Sequence, residues 1–257
     1  MTNFKLTIEY DGTNYSGWQR QAEESTVQAE IERALESMTR STITLFAAGR
    51  TDAGVHALGQ AANFHCNTRL GPDAILKGLN SLLPADIAIR ECRRMPEAFH
   101  ARFDAKSKIY RYHILNRDTR SAVGRSYAWF LHRPLDLGAM RQATEVIVGR
   151  QDFKAFESTG SPRAHTVRNV MDAGWVERGD RRLTFQIEAD GFLRCMVRNI
   201  VGTLVAVGLG KLSPGAVRGI IDSRDRKRAG ATAPPQGLFL VAVRYEPAAS
   251  DHLGPNS

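Results

Sequence analysis

The chain has 257 residues, 42% of them hydrophobic, and its 35 Lys and Arg against 27 Asp and Glu leave a formal charge of +8. That length suits one large domain or two halves sharing a sheet, with enough apolar surface for a core without staples. It excludes a disordered tail protein, a collagen-like repeat and a disulfide-stapled miniprotein. The positive excess favours acidic partners, nucleic acid first among them.

Phe4, Leu6, Ile8 and Tyr10 alternate with polar residues and predict a half-buried strand, broken by Asp11-Gly12-Thr13-Asn14. Val27, Ile31, Leu35 and Met38 fall at helical spacing behind a capping box of Ser25 and Gln28. Thr42 to Ala47 and Ala57 to His65 read as strands around the loop Gly49-Arg50-Thr51-Asp52-Ala53-Gly54. Pro72 starts a second helix, and Ile87 to Cys92 gives the next strand. The same order then recurs: a strand at Ser107 to Leu115, a helix over Leu137 to Val148, strands at Val167 to Glu177 and Leu183 to Glu188, and a helix from Phe192 to Val207. A short helix from Ser213-Pro214 and a strand at Leu238 to Tyr245 follow. Two successive β-α-β-β-α-β units predict an α+β protein of two ferredoxin-like halves, residues 1–105 and 106–247, with a flexible tail at 248–257.

The three cysteines, Cys66, Cys92 and Cys195, form no C-x-x-C pair. The histidines lack metal-ligand spacing, so no metal site is expected. The start of the chain has no basic flank followed by an apolar run. The longest apolar stretch, Ile200 to Gly210, is about half of the roughly 20 residues that a bilayer span needs. A reduced cytoplasmic protein without a membrane partner is expected. Gly208-Leu209-Gly210-Lys211 fails the phosphate-loop spacing, and neither a dinucleotide fingerprint nor a nucleophile elbow occurs.

Charge concentrates between Arg90 and Arg133, where eleven Lys and Arg meet four acids and Phe99, Phe103, Tyr110, Tyr112, Tyr127, Trp129 and Phe130 are interleaved. Cations neutralise phosphate and rings stack on exposed bases, a pairing that points to RNA or single-stranded nucleic acid. Asp52 stands in a glycine-flanked turn where it is either ordinary turn chemistry or a nucleophile presented by a rigid scaffold. Arg50 beside it favours the charged, nucleophilic carboxylate. On a helix, Arg194 and Arg198 share a face among apolar neighbours. A buried Arg198 needs an anionic partner, for which Asp52 is the leading candidate, or else it snorkels to the surface.

Together, Gly49-Arg-Thr-Asp-Ala-Gly-Val-His56, Phe99-His-Ala-Arg-Phe103, Tyr110-Arg-Tyr112, Val167-Arg-Asn-Val170, Met196-Val-Arg-Asn-Ile-Val-Gly202 and Gly237-Leu-Phe-Leu-Val-Ala-Val243 resemble, in order, the motifs of the bacterial TruA-type tRNA pseudouridine synthases. The resemblance runs from about residue 4 to 246. It implies the pseudouridine synthase fold, in which the two halves form a continuous, mainly antiparallel sheet with helices packed on it. It also implies isomerisation of uridine to pseudouridine at positions 38 to 40 of the tRNA anticodon stem-loop, with tRNA as partner, a homodimer and no cofactor. Position by position, it implies a catalytic role for Asp52, base flipping assisted by Arg50, stacking on the target base by Tyr110, pairing of Arg198 with the aspartate, and packing of Leu238 near the base. Phe99, His100, Ala101, Arg102 and Phe103 resemble one tRNA-contacting stretch, and Gly160 to Ala164, with Arg163, falls where a second is expected. Arg194, Cys195 and the stretch from Ser158 to Thr166 depart from the family pattern, with an expected bearing on substrate fit or packing. Two alternatives are a noncatalytic RNA-binding or chaperone protein, for which Asp52→Ala changes nothing, and a small-molecule hydrolase active without tRNA.

Overall fold

A computed structural model of the chain describes residues 1–158, 160 and 165–245. Arg163 and the tail expected at 248–257 lie outside the described residues. The elements in chain order are β1 (Thr2–Tyr10), α1 (Val27–Thr39), β2 (Phe46–Ala47), β3 (His56–Cys66), α2 (Pro72–Leu82), β4 (Ile87–Met95), β5 (Ser107–Asn116), β6 (Trp129–Leu131), α3 (Leu137–Glu145), β7 (Gly149–Asp152), β8 (Val167–Arg178), β9 (Arg182–Ala189), α4 (Met196–Gly208), α5 (Ala216–Ser223) and β10 (Leu238–Arg244).

All strands join one sheet in the order β4-β1-β3-β10-β5-β9-β8-β7, with β2 on β3 and β6 on β5. Pairing is antiparallel except at β10 with β3 and β5 with β6. The orders β4-β1-β3-β2 and β10-β5-β9-β8 are the same when each set is numbered along the chain, as the repeated pattern predicts. β10, the last strand in sequence, enters the middle of the sheet. It pairs with β5 over most of its length and with β3 only at Phe239↔His56 and Leu240↔Ala57.

Alternation decides which face is buried. Phe4, Leu6, Ile8 and Tyr10 of β1, Tyr110, Tyr112 and Ile114 of β5, and Leu183, Phe185 and Ile187 of β9 are all buried. They belong to one apolar cluster with Ile31 and Leu35 of α1, Ile75 and Leu79 of α2, and Ile200 and Leu204 of α4. Trp175 Nε1 donates to Thr144 Oγ1 at 3.0 Å and ties α3 to this face. Arg111 and His113 alternate onto the other face, where Arg111 donates to Gln186 Oε1 at 2.9 Å and His113 Nδ1 lies 3.0 Å from Thr184 Oγ1. Among the described residues no helix is long and apolar enough to cross a membrane.

Several expected boundaries move, each for a local reason. The capping box does not form. Thr26 is the N-cap of α1 without a side-chain hydrogen bond, while buried Gln28 donates to Glu32 Oε1 at 2.8 Å and accepts from the Arg20 N–H at 3.1 Å. The strand expected over Thr42 to Ala47 shrinks to two residues. The N–H groups of Ile43 and Leu45 are taken by Glu36 and Glu32 of α1 rather than by a neighbouring strand. α3 ends at Glu145, and the short strands β6 and β7 arise where none was expected. The helix expected from Phe192 begins at Met196, because Cys195 adopts a left-handed conformation, φ 58°, and breaks the run.

Candidate active site

The loop between β2 and β3 is fixed by hydrogen bonds from every side. The Ala48 N–H donates to Ala61 O at 2.8 Å and Gln60 Nε2 to Gly49 O at 2.8 Å, which pins its first residues to β3. The segment after β1 grips its centre: the Trp18 N–H donates to Thr51 O at 3.1 Å, the Gly54 N–H to Tyr15 O at 3.3 Å, and Thr51 Oγ1 lies 2.8 Å from the buried Tyr10 hydroxyl. A side chain at Gly17, where φ is +96°, would place its Cβ 2.7 Å from Thr51 O, so only glycine admits this approach. The Val55 N–H closes a turn onto Asp52 O at 3.1 Å through Gly54, φ +74°. The backbone of Asp52 is therefore held while its side chain is left free to project.

Across from it stands α4, buried on nearly all sides. Arg198 leaves this helix and donates from Nη1 to Asp52 Oδ2 at 3.0 Å and from Nε to Ala233 O at 2.8 Å. The Ala233 N–H in turn donates to Arg198 O at 3.1 Å. The ion pair expected from sequence forms, with the arginine side chain 15% exposed and the aspartate 32%. Snorkelling is thereby excluded.

The segment supplying Ala233 is itself braced. Fully buried Asn199 accepts from Arg226 Nη2 at 2.9 Å and from Thr232 Oγ1 at 2.7 Å, and donates to Phe156 O at 2.7 Å. The Gly230 N–H donates to Thr203 Oγ1 at 2.8 Å. A Cβ at Gly202 would sit 1.7 Å from Ala231 O, so the segment lies on bare helix backbone.

Cys195 is a member of the site that the sequence reading assigned to fit or packing. Its Sγ donates to Asp52 Oδ2 at 3.3 Å, because the left-handed turn at this residue aims the thiol at the loop. Burial raises its pKa, Asp52 raises it further, and the group remains a protonated donor. Asp52 Oδ2 thus serves both partners, whereas Oδ1 makes no hydrogen bond among the described residues. Arg194, expected on the helix beside Arg198, precedes α4 and is exposed.

Tyr110 and Leu238 are each 6% exposed and line the same face of the sheet. Their register differs from direct opposition: Leu240 faces Tyr110, and Leu238 faces Tyr112. Phe192 meets the Tyr110 ring edge-on at 4.9 Å between centroids. Burial, then Tyr10 and Asp52 nearby, push the Tyr110 phenol well above its ordinary range, so it keeps its proton. Arg50 is exposed at the loop's rim.

The stretch Phe99–Phe103 divides in two. Phe99 and Ala101 are buried, with the Ala101 N–H donating to Asn63 Oδ1 at 2.8 Å and Asn3 Nδ2 to Phe99 O at 2.8 Å. These bonds anchor the stretch to β1 and β3. His100, Arg102 and Phe103 point outward: Phe103 is 74% exposed, its ring 4.3 Å from that of His100 and under the Arg102 guanidinium at 5.7 Å.

A family model for tRNA pseudouridine synthase matches residues 6–104 and 143–246. The chain is 44% identical over 95% of its length to the tRNA pseudouridine synthase A of Thermoanaerobacter sp. (strain X514), all of which is covered. It is 48% identical to that of Acetivibrio thermocellus and 46% to that of Geotalea uraniireducens, again over 95% of this chain and all of the relative. Matches of this extent, on a chain whose mixed sheet carries a loop aspartate paired to a helix arginine, show that it belongs to the tRNA pseudouridine synthase family and is an isomerase of that kind.

Proposed function

We propose that the chain isomerises uridine to pseudouridine in the tRNA anticodon stem-loop, at positions 38 to 40, with Asp52 as the catalytic residue. The observation that carries this reading is the asymmetry of the carboxylate, one oxygen held by Arg198 and Cys195 and the other without a partner among the described residues.

The reaction breaks the bond from C1′ to N1, rotates the uracil and joins C5 to C1′; C5 loses a proton and N1 gains one. Every heavy atom of the base is kept and no electrons are gained or lost, so the stoichiometry calls for no cofactor. A stacked uridine must first leave its helix, at a cost of a few kcal/mol. Stacking on Tyr110 offsets about 1 to 3 kcal/mol of this, and Arg50 at the rim holds the vacated space against phosphate. The freed uracil turns within walls supplied by Tyr110 and Leu238. Asp52 Oδ1 is the reacting oxygen whether it attacks C1′, attacks the ring or removes a sugar proton. Arg198, fixed at both ends by Ala233, supplies charge balance and orientation without having to rearrange.

The repeated strand order supports reading residues 1–105 and 106–247 as two ferredoxin-like halves. We further take the protein as cytoplasmic and, from the resemblance, as a homodimer that contacts tRNA through the stretch Phe99–Phe103, of which His100, Arg102 and Phe103 point outward. The deciding experiment is tritium release from C5-labelled uridine in tRNA by Asp52→Ala: no release is expected, and a rate near wild type removes Asp52 from the chemistry. Chemical mapping of pseudouridine in tRNA from cells lacking the protein tests the position, with loss at 38 to 40 expected.

A further inference from the structure

The buried face carries a second cation that the chemistry above leaves unused. Lys108 lies two residues before Tyr110 on β5, so its side chain leaves the strand on the same face, about 7 Å further along. It is 9% exposed, and its ammonium makes no hydrogen bond or ion pair among the described residues. Its stem packs against the aspartate loop: a Cβ added at Gly49 would stand 3.3 Å from Lys108 Cε. Burial lowers its pKa, and Arg102 and Arg168 push the same way. Asp190 opposes them, but this carboxylate is already engaged, its Oδ1 accepting from the Asn169 N–H at 3.0 Å. A buried cation among other cations is costly unless an anion completes the cluster.

We propose that Lys108 binds a backbone phosphate of the substrate RNA adjoining the uridine held at Tyr110, and so fixes the nucleotide against the Asp52 loop. The inference rests on the reading of the Asp52 cleft as the seat of that uridine. Three placements select a phosphodiester as the occupant. Lys108 shares with the base-stacking ring one face of β5, its ammonium is a point charge suited to phosphate, and Arg102 and Arg168 lie close enough to add to the positive field around it.

The test uses tRNA in which one phosphate at a time beside the modified uridine is replaced by an uncharged methylphosphonate, with the whole protein and its Lys108→Met and Lys108→Arg variants. For the wild type, one such position is expected to raise KM about tenfold with kcat little changed. Lys108→Met should raise KM similarly for unaltered tRNA, lose the penalty at that position, and lower the log-log salt slope of binding by about 0.7 to 0.9. Lys108→Arg should restore most of the affinity. Equal methylphosphonate penalties in wild type and Lys108→Met, or an unchanged KM in that variant, overturn the inference. If Lys108→Met does not fold, the wild-type scan decides alone, and the absence of any sensitive phosphate is then a refutation. An inactive Asp52→Ala beside an unaffected Lys108→Met discards only the role of the lysine, whereas an active Asp52→Ala discards the site itself.

Discussion

Two carboxylates stand in glycine-containing turns at neighbouring strand ends, Asp11 after β1 and Asp52 before β3, and their surroundings differ in kind. Asp11 has donors on both oxygens: its Oδ1 accepts from the Thr13 N–H at 3.0 Å and Thr13 Oγ1 at 2.5 Å, and its Oδ2 accepts from the Tyr127 hydroxyl at 2.7 Å. His56 Nδ1 lies 3.0 Å from Oδ1 as well. Burial works against its charge, yet the hydrogen bonds from Thr13 and Tyr127 outweigh it and hold the carboxyl below its ordinary range. Asp52 has instead one oxygen on a cation and a thiol of the α4 region and the other without a hydrogen bond among the described residues. A carboxylate with both oxygens accepting hydrogen bonds organises a turn; one braced on a single side keeps an oxygen for a substrate.

Substitution at the two positions should separate these roles most sharply. Asp52→Asn is expected to lower kcat by at least about 10³-fold with little change in thermal stability. Asp11→Asn should cost about 1 to 2 kcal/mol of stability in denaturant titration and leave kcat within a few-fold. Equal loss of activity in both variants would erase the distinction. Arg198→Lys comes next, with an expected drop in kcat of about 10²-fold, because a lysine cannot reach Asp52 and Ala233 O together as the guanidinium does.

A third measurement supplies a pH background belonging to neither carboxylate. Burial first, then Arg111, Arg178 and Arg182, lower the His113 pKa to about 4. The unfolded chain therefore binds a proton that the native one refuses. This contribution to stability is complete above about pH 6.5 and is lost as the pH falls toward 4, at most about 3 kcal/mol. The melting temperature of His113→Gln should fall less steeply over that interval than that of the wild type. Cys195→Ser has the smallest expected effect, roughly a two- to fivefold drop in kcat at constant KM, since a hydroxyl still donates to Asp52. A larger loss would make the thiol a full partner of Arg198.

Periodicity made much of the architecture legible, because β1, α1 and β9 each bury one regular set of apolar side chains. It fails where the chain is short or polar. Gly149-Arg-Gln-Asp152 has no apolar alternation, yet it pairs with Asn169 and its neighbours along an edge of the sheet. It fails again at Phe192 to Cys195, where apolar residues continue through a left-handed turn that no spacing reveals. In the site, Asp52 and Arg198 stand out as charges in unusual settings. Cys195 does not, because its partner lies 143 residues away in sequence and only the turn before α4 aims it there. The two-sided clamp from Ala233 is likewise invisible, being made by backbone atoms that any residue carries.

The central position of β10 also bears on how the protein comes into being. Chain order and sheet order disagree there: the strand beside both Tyr110 of β5 and the strand leaving the aspartate loop is synthesised well after the two strands it joins. During translation, a nascent chain carries Asp52, Tyr110 and Arg198 while the gap between its two groups of strands is still empty. Maturation of the active site is therefore a late folding event, requiring contacts of high sequence separation that form slowly. A chain halted before Leu238 should expose the facing edges of β3 and β5, a surface for chaperones or aggregation rather than for tRNA.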